Sequence, residues 1–409
     1  MSQVRRNYMN YNANAAPLGM MARNVRLLLG WGWMSGLDML WTPGIILLWD
    51  AHGVTPQQGL LMQVWFGATL LLLDVPAGVM ADRLGRVKAI RLGVSIHAVS
   101  ILLMLCAQSY YDFLISEIIG GIGRALRSNA DEALVRASLE ADNRGADFRS
   151  VWVVGLTRRI GISAAIGGVI GASLVSIDLY LPLLIATIGE VAMAISAWWL
   201  VEPPSLKVKA KSLDLAAEIA ALYRMTVRAF VDYVGRPHPT RGMIAVTAAV
   251  NAFTLCGFWA AQLYLQALAM PGVGFSVVHC ARFGAFTAAS HLWAHYWHNP
   301  RTKSVGIALG GMLVVAFCLL ALLPVNPWFI GLLLVSPIVH GGNTVLLRQQ
   351  LVDELGEDGR ATGLSVVSSG TRVLIMALQL VMAYAGANAY GPLAVPALLF
   401  LCLVALKKK

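Results

Sequence analysis

Residues 76–88 read Pro76-Ala77-Gly78-Val79-Met80-Ala81-Asp82-Arg83-Leu84-Gly85-Arg86-Val87-Lys88. Apolar stretches flank this segment, 59–80 on one side and 89–108 on the other. Each is about the 20 residues that an α-helix needs to cross a bilayer. The segment is therefore a short basic hairpin between two membrane-length helices. Gly78 lets helices approach closely, and Gly85 permits a turn with positive φ. Asp82 is placed to face helix N-termini or an arginine across an interface.

Composition generalises the reading. Of the 409 residues 58% are hydrophobic and only 13% charged, with a mean hydropathy of +0.68. A soluble domain carries about 25% charged residues. These values exclude a soluble enzyme, a nucleic-acid-binding domain and a disordered chain. They point to a polytopic membrane protein, with the +10 net charge a property of its loops. No nucleic-acid partner is expected; the bilayer is.

Twelve apolar stretches occur, at roughly 25–49, 59–80, 89–108, 113–135, 151–176, 179–201, 242–268, 273–297, 304–324, 327–347, 363–386 and 388–406. The Lys and Arg outside them, or at their ends, fall in the N-terminal segment, in loops 2–3, 4–5, 6–7, 8–9 and 10–11, and in the tail. The intervening loops hold none. The positive-inside rule then predicts cytoplasmic termini and a multi-pass protein of the inner (plasma) membrane. The expected organisation is an arm (1–24), a six-helix bundle (25–201), a basic linker with an amphipathic helix (202–241), a second six-helix bundle (242–406) and a basic tail (407–409). No cleavable signal peptide is visible. The five cysteines stand singly, suggesting neither a disulfide framework nor a thiolate zinc site.

The halves echo each other. Span 4 runs out as Leu134-Val135-Arg136-Ala137-Ser138-Leu139-Glu140, and span 10 as Leu346-Leu347-Arg348-Gln349-Gln350-Leu351-Val352. Each following span carries an arginine after a small-residue step, at Arg158 and Arg372. A parallel six-helix repeat is one way transporters are built.

The hairpin resembles the loop 2–3 signature of the major facilitator superfamily, G-x-x-x-D-R-x-G-R-[RK], with Gly78, Asp82, Arg83, Gly85 and Arg86 on its key positions. Span 4 resembles the superfamily pattern R-x-x-x-G-x-G, with Glu117 in the arginine position ahead of Gly121 and Gly123. Span 5 carries Gly161, Gly167, Gly168 and Gly171, like the antiporter motif without its Gly-Pro. Residues 73–78 and 128–134 look like a bacterial drug-efflux-like branch. The resemblance implies an all-α fold of twelve membrane helices in two bundles, with spans 1, 4, 7 and 10 lining a central cavity. The hairpin would serve as a gating motif.

Charges inside spans are expensive and mark function or pairing. Asp38, midway along span 1, is either a protonatable coupling carboxylate or the static partner of Arg124; Glu117 is the second coupling candidate. Arg124 and Arg127 share a face of span 4 and suit an anionic solute group, or Asp38 and Glu117. Asp131 and Glu132 are expected to pair with Arg158 or Arg159, and Asp74 to act in the gate. The C-terminal spans hold Arg282 and Arg372 and no acid. Their partners would be backbone carbonyls, an acid of the other half, or a carboxylate or phosphate of the solute. Asn251, Gln262, His340 and Asn343 could complete the cavity. His291, His295 and His298 lie on one helical face. That spacing suits metal binding or an interfacial anchor, and no metal is assigned.

The sequence thus predicts a monomeric secondary transporter of a small organic solute, without cofactor, driven by protons and exporting. No G-x-x-x-x-G-K-[ST] loop is present for ATP. The alternatives are proton-coupled uptake of an organic anion, or a sensor or enzyme on the same scaffold.

Overall fold

The computed structural model describes residues 21–127, 130–203, 215–235, 241–296, 302–343, 348–385 and 390–406. Fifteen α-helices run through them. The first half holds α1 (Ala22–Leu37), α2 (Ile45–Ala51), α3 (Pro56–Leu84), α4 (Arg86–Cys106), α5 (Tyr110–Arg127), α6 (Ala130–Ala141), α7 (Gly155–Ile177) and α8 (Leu181–Ser196). The linker contributes α9 (Leu215–Gly235). The second half holds α10 (Arg241–Ala267), α11 (Gly272–Tyr296), α12 (Thr302–Leu322), α13 (Val335–Gly342), α14 (Arg348–Tyr384) and α15 (Gly391–Leu406).

Local chemistry sets the boundaries. Thr55 and Gln58 form a reciprocal capping box ahead of Pro56, which starts α3. Gly85, at φ +95°, ends α3 and turns the chain into α4. The Glu202 carboxylate then accepts the Arg86 and Val87 backbone N–H groups at 2.9 and 2.8 Å. An anion so placed satisfies orphan donors and complements the positive helix end. At the other end of the bundle, Asp178 accepts the N–H groups of Tyr180 and Leu181 and so starts α8.

Six helical stretches of the described residues are long and apolar enough to cross a membrane: Pro56–Ala81, Arg86–Cys106, Arg158–Ile177, Leu181–Trp199, Gly242–Ala267 and Val366–Tyr384. The first apolar stretch of the sequence is instead broken. After α1 it passes through 3-10 turns at Asp38–Leu40 and Thr42–Gly44 before α2. Pro43 has no N–H to continue a ladder. The tenth stretch begins as a 3-10 helix, Pro327–Leu334, before α13.

Small residues bring helices together. At Gly93 of α4 a Cβ would stand 2.8 Å from the Gly123 carbonyl oxygen, and at Gly123 of α5 it would stand 2.7 Å from that of Gly93. Reciprocal glycines therefore allow backbone-to-backbone contact. Gly36 likewise seats Ser163 of α7 against α1.

The halves meet chiefly along α3 with α14 and α7 with α11. Opposite the hairpin they share one apolar core: Trp49, Leu60, Phe113 and Leu183 pack in the same cluster as Phe253, Phe275 and Tyr390. At the hairpin end the cores are separate. Leu28, Ile90, Leu134 and Leu200 belong to one half, and Ile244, Leu351 and Val366 to the other. The linker helix α9 packs on both α3 and α14. Its Tyr223 hydroxyl donates to the Leu72 carbonyl of α3. That carbonyl lies four residues before Pro76, which has no N–H to give it.

Candidate functional site

The break after Leu37 places Asp38, 8% exposed, against α5. Its Oδ2 accepts from Arg124 Nη2 at 3.2 Å. Arg124 Nε donates to His97 Nε2 of α4 at 3.3 Å. His97 Nδ1 lies 2.9 Å from Glu190 Oε2 of α8. Arginine has donors only, so His97 Nε2 accepts and its Nδ1 carries the proton donated to Glu190. Four charged or titratable side chains from four segments thus form one hydrogen-bonded chain. His97 and Glu190 are buried, while the Arg124 side chain is 50% exposed and lies over the Phe66 ring.

The other expected residues of the first half divide. Glu117 is buried and accepts from Gln63 Nε2 at 3.0 Å rather than from an arginine. Arg127 binds Asp131, four residues on, at 2.6 Å and covers the Trp31 ring. The expected pairing of Asp131 with Arg158 or Arg159 is therefore corrected. Asp131 lies in the first turn of α6, within reach of the arginine that ends α5.

In the second half the two span arginines have different surroundings. Arg372 Nη1 contacts Asp74 Oδ2 at 2.6 Å, joining α14 to α3 across the halves. Arg282 is 4% exposed, and its Nη2 reaches the Gly257 carbonyl and Ser336 Oγ, both at 3.3 Å. Its guanidinium lies over the Phe258 ring with the Tyr390 hydroxyl beside it. Among the described residues its Nε and Nη1 have no hydrogen-bond partner. Gln262 is fully buried with both amide atoms unpartnered.

His340 Nδ1 meets the Thr254 hydroxyl at 3.0 Å and packs on Phe286. Asn343 donates to the Thr247 carbonyl at 3.5 Å, and among the described residues its Oδ1 has no partner. Asn251 is half-buried, its carbonyl taking the Thr254 hydroxyl. The structure thus brings Asp38 and Arg124 together but holds Glu117, Arg372 and His340 in separate contacts.

In the hairpin, Gly85 is the turn residue, Gly78 has open space where a Cβ would stand, and Arg83 and Arg86 are partly exposed. The Asp82 side chain, the His295 side chain and His298 lie outside the described residues; His291 is exposed on α11.

Sequence reasoning missed His97, Gln63 and Glu202 and gave Glu190 no role. A histidine and a glutamate facing each other in apolar spans was the available signal, but their separation hid it. Across the halves, the Trp49 and Trp259 rings stack at 5.8 Å and 7°, and Trp259 adjoins Phe258.

The sequence profile of the Major Facilitator Superfamily matches residues 28–399. Among curated proteins no match is found. Solved structures share the fold. A mutant of a peptide transporter, POT, superposes with a TM-score of 0.70 at 11% identity, covering 93% of each chain. A mutant of the nucleoside transporter NupG gives 0.69 at 12%, covering 96% of this chain and 100% of that one. The human organic anion transporter MFSD10 (TETRAN) gives 0.61 at 17%, covering 95% and 100%.

Proposed function

The chain belongs to the Major Facilitator Superfamily, and from that premise we propose that it is a monomeric secondary transporter that exports a small amphipathic organic solute across the plasma membrane in exchange for protons. It crosses the membrane twelve times with both termini inside, a reading supported by the alternation of basic and charge-free loops. Export rather than uptake is supported by the likeness of residues 73–78 and 128–134 to a drug-efflux-like branch.

The observation that carries proton coupling is the chain Asp38–Arg124–His97–Glu190. It lies where the first span's helix is interrupted, so a change at Asp38 meets soft backbone rather than a continuous ladder. A proton on Asp38 removes the charge that holds Arg124. The half-exposed guanidinium, still held to His97, is then free to swing its outer N–H groups toward Glu190 or a solute. A proton on His97 Nε2 would oppose the Arg124 N–H and push the arginine back to Asp38. The network thus has two exclusive protonated arrangements, which an exchange of solute for proton requires. Alternating access is supported by the shared core at one end and separate cores at the other, the geometry of two bundles that rock around a midplane site.

The test begins with a thermal-stabilisation screen of small organic solutes on purified protein. Hits are then assayed in proteoliposomes containing the pH-sensitive dye pyranine. Solute movement should carry protons in the opposite direction. Asp38→Asn should keep solute binding and exchange while losing accumulation driven by a pH gradient. Undiminished gradient-driven accumulation by the folded variant would remove Asp38 from the coupling path.

A further inference from the structure

We infer that Arg282 anchors an oxyanion site in the second half, and that the transported solute is an aromatic or similarly flat molecule bearing a carboxylate or phosphate. The inference rests on the transport reading and adds the solute's class.

The argument begins with charge. From Arg241 to Val352 the sequence holds no Asp or Glu. The other span arginine of this half, Arg372, is matched by Asp74. Arg282 has no acid against it among the described residues, although it is the more deeply buried of the two. A buried charge without a counter-charge is costly, and proteins pair such groups or give them a ligand. Two weak contacts from Nη2 and the neighbouring Tyr390 hydroxyl, all neutral, occupy part of the guanidinium. Among the described residues Nε and Nη1 meet no acceptor of hydrogen-bond geometry, and none of the neighbours is anionic, so the guanidinium suits an oxyanion.

The surroundings describe the rest of the ligand. The Phe258 ring centroid lies 5.6 Å from the guanidinium carbon, and the ring makes edge or tilted contacts with His279 and Phe283. His279, three residues before Arg282 on α11, is fully buried with Nε2 unpartnered. Gln262, one turn along α10 from Phe258, offers an unused donor and an unused acceptor. Buried polar groups are normally satisfied, so open ones on Arg282 and on His279 beside it, with Gln262 one turn beyond Phe258, point to an occupant. Aromatic walls around a cation select a flat, oxyanion-bearing body.

Access follows from the same residues. Trp259, next to Phe258, stacks on Trp49 of the opposite half. The aromatic wall of the site is therefore also the seal between the halves. Separating the halves at that end would unstack the tryptophans next to Phe258.

Isothermal titration calorimetry of the purified protein in nanodiscs, with naphthoate, naphthyl phosphate and neutral naphthamide, tests the inference. One or both anions should bind and the amide should not; the comparison of the two anions tells carboxylate from phosphate. Arg282→Leu, which removes an uncompensated charge, should fold and weaken anion binding by about ten- to hundredfold. Arg282→Lys should keep the preference for anions over the amide with reduced affinity. If Arg282→Leu fails to fold, wild-type selectivity together with Arg282→Lys decides. Equal binding of naphthamide, full anion affinity in Arg282→Leu, or no anion binding by folded wild type would each overturn the site. A wild type that binds no anion yet exchanges a neutral solute for protons overturns this inference and leaves transport standing. Anion binding without flux keeps the oxyanion site, and overturns the transport reading and with it the claim that this anion is the carried solute.

Discussion

Asp74 and Arg372 form the ion pair that ties α3 to α14, and neutralising Asp74 should shift the balance between conformations. The side chains are 27% and 22% exposed, so water reaches the pair only in part. Removing one partner of a fully buried pair costs about 3–5 kcal/mol, and exposed pairs contribute about 0–1 kcal/mol. A partly buried pair at 2.6 Å falls between, at about 2 kcal/mol. If the contact exists only when α3 and α14 are apposed, Asp74→Asn changes the ratio of the two conformations roughly thirtyfold. Nitroxide labels at Lys88 and Ser368, one on each half, would report this as a change in the distance distribution by pulsed electron resonance. The background would lack the five native cysteines. The charge-reversed double variant Asp74→Arg/Arg372→Asp should recover the wild-type distribution. An unchanged distribution in Asp74→Asn, or no recovery in the double variant, would refute the clamp.

Three further outcomes are expected. A reporter fused after residue 270 should read outside and one after residue 205 inside; the opposite result at either site ends the twelve-span arrangement. Glu202→Gln should lower the thermal unfolding midpoint, since the charged cap on Arg86 and Val87 contributes about 1–2 kcal/mol. Gly85→Ala should cost about 1–3 kcal/mol, measured by the same unfolding assay. The turn's φ of +95° strains any side chain, and the new Cβ would lie 3.1 Å from Glu202 Oε2.

Local and periodic features were open to a sequence reader. Apolar lengths pointed to an all-helical fold, and Gly85 was recognisable as a turn because φ > 0 is a property of one residue. Asp38 and Arg124 were suspected of pairing because both stood in apolar spans. Long-range partners were not legible. Arg372 meets an acid 298 positions away, and His97 one 93 positions away. Nothing in the local spacing of either names its partner. Asp131 was misassigned to the next span although Arg127 stands four residues before it. The interruption at Thr42-Pro43-Gly44 was visible as letters, yet a hydropathy window passes over it.

Tyr223 has a consequence for how the polypeptide can be divided. Because its hydroxyl occupies the carbonyl that Pro76 abandons, α9 completes the hydrogen bonding of α3. It belongs structurally to the bundles it joins. Halves synthesised as two separate polypeptides should reassemble when α9 stays attached to either one. A string of glycine and serine of equal length would preserve the tether and still leave the Leu72 carbonyl of α3 without its hydroxyl donor. The span of chain between the repeats is thus a third structural partner, and its sequence is constrained by what it touches rather than by its reach.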